Sequence, residues 1–124
     1  MKKLALSLVL FSLSAVISSG QIPVATQIQI LKAEDSRTFD ADLEILMKNA
    51  NPLVRMRAAL AAGRIGDAAA VPALVLRMEG DANEKVREMA AFALGEIESV
   101  TAADAILRAI GETGKAKLPN AVEA

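Results

Sequence analysis

Apolar positions along the chain recur at helical spacing, and the pattern itself repeats. The stretch 54–65 (VRMRAALAAGRI) returns 32 positions later at 86–97 (VREMAAFALGEI), without a gap. Within each stretch, small or apolar residues are three or four positions apart, as on one face of an amphipathic helix. A repeat of this length predicts stacked helical hairpins, in which each hairpin buries its core against its neighbours.

A second apolar motif precedes each of these stretches and predicts the first helix of each hairpin. It consists of Leu74 and Met78, with counterparts Ile106 and Ile110 at the same offset and Leu43 and Met47 at an offset of 31. The predicted fold class is therefore all-α. We expect an α-solenoid over residues 40–111, with about two complete hairpins and partial ones on either side.

Local start and stop signals agree with the second helix of each hairpin. Asn51 followed by Pro52, and Asn83 in the next copy, are predicted N-caps. Gly66 is a predicted helix end in the left-handed conformation, and Asp67 can cap the element that follows. Gly63 is predicted to allow close packing between helices.

Residues 1–20 have the pattern of a secretory signal peptide. Lys2 and Lys3 precede an apolar run at 4–17, and the small residues Ser18, Ser19 and Gly20 follow. The run is shorter than the roughly 20 residues that span a bilayer. We therefore predict export to the periplasm or medium and cleavage near residue 21, with an uncleaved anchor as the alternative.

The two ends of the mature chain are predicted to lie outside the complete hairpins. Residues 21–39 are expected to form an N-terminal segment or capping helix. Gly111 and Gly114 lie in a polar stretch that is predicted to follow the last helix. Residues 112–124 are interpreted as a poorly ordered tail that resembles the start of a further second helix, so the chain is expected to be a fragment of a longer product.

Composition argues against several kinds of catalytic chemistry. The chain contains no Cys and no His, so thiol nucleophiles, imidazole bases and the usual transition-metal ligand sets are excluded. The acids Asp40, Asp42 and Glu44 could bind Ca²⁺ or Mg²⁺, but their place at a helix start is explained by the helix dipole. No catalytic residue, metal or cofactor is predicted.

Charge argues against a nucleic-acid partner. The full chain has 14 basic and 15 acidic residues, and removing Lys2 and Lys3 leaves 12 against 15, a net charge of −3. With three Phe and no Trp or Tyr, no basic stripe is interleaved with aromatic side chains that could stack on bases.

The segments NPLVRMRAALAAGRIGD and EKVREMAAFALGEIES resemble HEAT repeats of the short, alanine-rich type shared with phycobilin lyases. The resemblance implies an α-solenoid and does not specify a function. It also implies a structural ladder, in which an Asp or Asn pairs with an Arg six positions later: Asn49 with Arg55, and Asp81 with Arg87. The alternative is an anion site built on the two arginines.

One face of the second helices is the predicted partner-binding surface. Its residues occupy equivalent positions in the two copies: Arg57, Leu60 and Arg64 in the first, and Met89, Phe92 and Glu96 in the second. Stacked, they are expected to form an apolar stripe with charged edges that could hold a helix or extended peptide. The alternative is that Leu60 and Phe92 pack beneath the first helices or the N-terminal segment.

Three functional classes follow from these observations. The first is a non-enzymatic protein- or peptide-binding scaffold in the bacterial cell envelope. The second is an appendage of a larger exported enzyme, because exported bacterial proteins of similar sequence carry such repeats ahead of a peptidyl-prolyl isomerase domain. The third is a phycobilin lyase-like subunit, against which the export signal and the short array argue.

Overall fold

The computed structural model describes residues 20–117, with side chains described up to residue 112, and this part of the chain is helical without strands. A short 3₁₀ turn, Ala68–Ala70, leads into the fourth helix. The helices in chain order are α1 Val24–Ser36, α2 Ala41–Leu46, α3 Pro52–Ile65, α4 Val71–Gly80, α5 Glu84–Ile97 and α6 Val100–Lys117. Helices α2 and α3 form one hairpin and α4 and α5 the next, as the repeat predicts.

The predicted caps are confirmed. The side chain of Asn51 accepts a hydrogen bond from the Leu53 amide at 2.9 Å, and Asn83 accepts from the amides of Lys85 and Val86. Gly66 ends α3 with a φ of 75°, a left-handed conformation that glycine adopts without a steric cost. Each side-chain cap stabilises its helix by about 1 kcal/mol, which fixes where the hairpins turn.

Helices α3 and α5 pack against each other over the largest interface and form the centre of the core. The predicted apolar face is buried in both: Val54, Ala58, Ala61, Ala62 and Ile65 in α3, and Val86, Ala90, Ala93, Leu94 and Ile97 in α5. Because half of these side chains are alanines, the helices approach closely. Gly63 lies at the tightest point, where an added Cβ would be 2.8 Å from the Cα of Ala93.

Helix α1 packs on α3 and α2 at the N-terminal end of the array. It buries Ile30 and Ala33 against them, while Val24, Ile28 and Leu31 remain exposed. This helix lies within the segment 21–39. Residues 1–19, which carry the predicted signal, are outside the described part of the chain.

The last helix is longer than predicted. Helix α6 continues to Lys117, so Gly111 and Gly114 lie inside a helix and not in a polar stretch after it. Each glycine costs a helix about 1 kcal/mol relative to alanine, but the intervening residues are good helix formers and the first proline is Pro119. The predicted tail therefore begins within α6, and its remainder, 118–124, lies outside the described residues.

No helix within residues 20–117 has both the length and the apolar character needed to cross a bilayer. The same part of the chain contains no group of three or more acids placed to hold a metal ion. Of the acids weighed as a metal site, Asp40 caps α2 through the Leu43 amide and Glu44 pairs with Lys48.

Candidate partner-binding surface

An arginine ladder joins consecutive hairpins on one edge of the array. The guanidinium of Arg55 donates from Nε and Nη2 to the two carboxylate oxygens of Asp81, at 2.8 and 2.7 Å. Its Nη1 donates to the backbone carbonyl of Asn49 at 2.8 Å. The Asp81 side chain is only 1% exposed. The hydrogen bonds from Arg55 hold the pKa of the Asp81 carboxyl below its ordinary value, against the opposing effect of burial.

Both arginines contact the residues with which the ladder pairs them, through backbone carbonyls and not through the Asn49 and Asp81 side chains. Arg55 binds the carbonyl of Asn49, and Arg87 binds that of Asp81 at 2.7 Å. The Asn49 and Asp81 side chains instead accept from the amide two residues later, in tight turns. The Asp81 carboxylate consequently faces Arg55 of the preceding repeat. The donors of Arg55 are thereby engaged, which argues against the alternative anion site.

A groove of about 450 Å³ lies where the N-terminal segment crosses α3 and α5. Three of the predicted surface residues, Arg57, Leu60 and Met89, are in its wall. The other lining residues are Gly20, Gln21, Ile22, Val24, Gln27, Leu53 and Met56. The wall is therefore mainly aliphatic and thioether. Leu53 and Met56 were not predicted to be part of this surface. They nevertheless lie on the same face of α3 as Leu60, with Met56 one turn and Leu53 two turns before it.

The charged edge of the predicted surface is neutralised by α1. Both Nη atoms of Arg57 donate to the carboxylate of Glu34 at 2.8 Å, and Arg64 adds a longer contact of 3.4 Å. The hydrogen bond from Arg57 lowers the pKa of Glu34, so this carboxylate stays ionised near neutral pH. The two arginines are thus committed to an ion pair within the chain. The groove therefore has an apolar wall, and the positive charge of Arg57 in that wall is compensated by Glu34.

The remaining predicted residues lie beyond the groove. Phe92 is 54% exposed on α5, and Glu96 is exposed one turn further along. Leu60 is half-buried beside the N-terminal segment. The alternative prediction was that both side chains pack beneath the first helices or the N-terminal segment. It therefore holds in part for Leu60 and does not hold for Phe92. The structure brings Arg57, Leu60 and Met89 together in one cavity wall, and it places Arg64, Phe92 and Glu96 along its continuation.

Stacked helical hairpins with a ladder between repeats define an α-solenoid. The particular class is given by a family model of HEAT repeats, which matches residues 39–124, more than two thirds of the chain. The chain belongs to this family. A comparison with curated proteins found no significant match.

Proposed function

We propose that this protein is a non-enzymatic binding scaffold of the bacterial cell envelope, which holds a protein or peptide in the groove between its N-terminal segment and helices α3 and α5. The observation that supports the proposal most directly is the composition of the groove wall, in which Leu53, Met56, Leu60 and Met89 form a continuous apolar surface. HEAT repeats commonly act as scaffolds for protein interaction, which fits such a surface.

The charges at the groove favour an apolar partner over an acidic one. The guanidinium of Arg57 is already paired with Glu34, so it has little capacity for a partner's carboxylate. Methionine side chains adapt to differently shaped apolar groups, as expected for a surface that accepts short peptide segments. The partner is therefore a helix or extended segment that presents aliphatic or aromatic side chains, and its affinity depends only weakly on salt.

A binding experiment with matched variants tests this proposal. Envelope extract is passed over the immobilised chain and over the variants Leu60→Ser with Met89→Ser, and Leu76→Ser. Leu76 is exposed on α4, so its substitution makes the same leucine-to-serine change outside the groove. We expect a specific partner to be retained by the wild type and by Leu76→Ser, and lost from the groove variant. Equal retention by all three, with the groove variant still folded by circular dichroism, would falsify the proposal.

Export is tested separately. We expect to find the chain in the envelope fraction of a bacterial cell, and we expect its N-terminus to be near Gln21. Intact mass and N-terminal sequencing of the fractionated protein measure both. A full-length chain in the cytoplasm contradicts the envelope location and leaves the groove experiment unaffected.

A further inference from the structure

The N-terminal segment is attached to the wall of the apolar groove at the first residues that the structure describes. Residues 20–22 line the groove beside helix α3. Asn51 donates from Nδ2 to the carbonyl of Gln21 at 3.4 Å, and Gln27 donates from Nε2 to the carbonyl of Ile22 at 3.0 Å. These two bonds hold the segment at the start of α3 and at the first turn of α1. The part of the chain that precedes residue 20 therefore connects directly to the groove wall.

The residues that precede this segment match the groove in polarity and charge. The apolar run 4–17 is separated from Gly20 by two serines and contains no charged side chain. In the groove wall only Arg57 is charged, and its charge is compensated by the ion pair with Glu34. An uncharged, mainly aliphatic segment can therefore enter the groove without leaving a buried charge unpaired.

Covalent attachment gives the apolar run an advantage over a free ligand. Three Cα–Cα steps of about 3.8 Å separate Ile17 from Gly20, so the end of the run lies within about 11 Å of the groove wall. A segment tethered at this distance has an effective concentration of about 1 mM. A contact with a dissociation constant of only about 0.1 mM would then fill the groove about nine-tenths of the time.

We propose that the apolar run 4–17, while it is attached, occupies the groove of its own chain and excludes the partner from it. Leu10, Leu13 and Ile17 recur at the spacing of one helical face, and this face supplies the contact. The inference rests on the proposed function, because it concerns the same groove. It adds that the groove becomes accessible to a partner when the run is removed.

Oxidation of Met56 and Met89 by hydrogen peroxide, followed by mass spectrometry, measures the occupancy, because both thioethers line the groove. Met78 is partly exposed on α4 outside the groove and is the internal reference. In the full chain we expect Met56 and Met89 to be oxidised about tenfold more slowly than in a chain that begins at Gln21. Met78 should react at the same rate in both. The shorter chain keeps every buried core residue of the described structure, and circular dichroism checks its folding.

Matched substitutions within the full chain test which side chains make the contact. Leu10→Ser with Leu13→Ser removes two side chains of the proposed contact face, so the oxidation of the groove methionines should rise toward the rate in the shorter chain. Leu4→Ser with Leu8→Ser makes the same changes on the opposite face of the run, at helical spacing, and should leave the protection in place.

Several outcomes overturn the inference. One is equal oxidation of Met56 and Met89 in the full chain and in the chain that begins at Gln21. Another is protection that both leucine pairs reduce equally. Protection that disappears on dilution also overturns it, because the run of a second copy would then fill the groove. Protection that extends equally to Met78 does so too, because it indicates aggregation.

Failure of the proposed function gives a different result. If the groove binds a partner, the chain that begins at Gln21 retains it from envelope extract, and the full chain should retain less. A partner retained equally by both chains, without protection of the groove methionines, overturns the inference and leaves the proposed function in place. Protection in the full chain, with no partner retained by the shorter one, supports the inference and contradicts the proposed function.

Discussion

Gly63 and Gly95 show that one residue type at one repeat position has two different roles. Both lie in the middle of a second helix, 32 positions apart, and the sequence gives no way to tell them apart. A Cβ added at Gly63 would be 2.8 Å from the Cα of Ala93 on the next helix, whereas a Cβ added at Gly95 would meet no atom within 4 Å in the described part of the chain. The requirement for glycine therefore comes from the neighbouring hairpin and not from the helix itself.

The two glycines predict substitutions of opposite sign. Gly63→Ala should lower the free energy of unfolding by about 1–3 kcal/mol, because its Cβ overlaps backbone that must move. Gly95→Ala should raise it by up to about 1 kcal/mol through helix propensity alone. Urea unfolding at low protein concentration compares the two, and each serves as the control for the other. Similar destabilisation by both would contradict the close contact at Gly63.

Acid sensitivity is expected from two ionised carboxyls, Asp81 and Glu34. Their pKa values are lowered in the folded state by hydrogen bonds from Arg55 and Arg57, so the unfolded chain takes up these protons first as pH falls. The stabilisation is complete above about pH 5, where the unfolded carboxyls are ionised, and is lost as pH falls through the lower folded values.

Asp81→Asn tests the contribution of Asp81 to this effect. The variant should lose about 2–4 kcal/mol at pH 7, because Arg55 keeps a buried environment without its counter-charge. Its free energy of unfolding should then fall less steeply than the wild type's between pH 5 and about pH 3. Glu44→Gln, which breaks an exposed pair with Lys48, is the control and should change little. If the free energy of unfolding depends on pH in the same way for the wild type and Asp81→Asn, the result contradicts this explanation.

Among the helices, α3 and α5 could be predicted from the sequence because caps, spacing and repeat offset all agreed. The end of α6 could not, since its two glycines resemble a loop and only the absence of an intervening proline favours a helix. The contacts of α1 were also beyond prediction. Nothing in the sequence links Glu34 to Arg57 across 23 positions, so the predicted surface kept a free charged edge that α1 neutralises. The ion pair of Asp81 with Arg55 was not predicted either, because these residues lie 26 positions apart in consecutive repeats.

The attachment of α1 is predicted to depend on Glu34. In Glu34→Ala, Arg57 and Arg64 lose their shared carboxylate, so α1 should open more often while α5 is unaffected. Hydrogen exchange resolved by peptide measures this, with faster exchange expected in α1 and unchanged exchange in α5. Asp35→Ala is the control, because Asp35 is the exposed acid next in sequence. Uniformly faster exchange in both helices would instead indicate a general loss of stability.

Within residues 20–117 the two second helices have different surroundings: α1 packs on α3, whereas a Cβ added at Gly95 of α5 would meet no atom within 4 Å. In repeat proteins stability is approximately a sum over neighbouring units, so an end helix contributes through one interface. The apolar groove requires α1 and its preceding segment for one wall and the second helices for the other. Under the proposed function, folding and partner binding are therefore coupled at this end of the molecule.

Removal of α1 tests that coupling. A chain that begins at Thr38 loses the burial of Ile30 and Ala33 and the ion pair of Glu34 with Arg57, and its free energy of unfolding should fall by at least about 3 kcal/mol. Urea denaturation followed by circular dichroism measures the loss. The comparison is a chain that ends at Glu112, which shortens α6 by residues 113–117 and removes no residue of the groove. It should retain the partner that the chain without α1 loses. A shortened N-terminus that still binds this partner would show that the groove wall formed by Ile22 and Val24 is dispensable, and that the contact surface lies further along α5 toward Phe92.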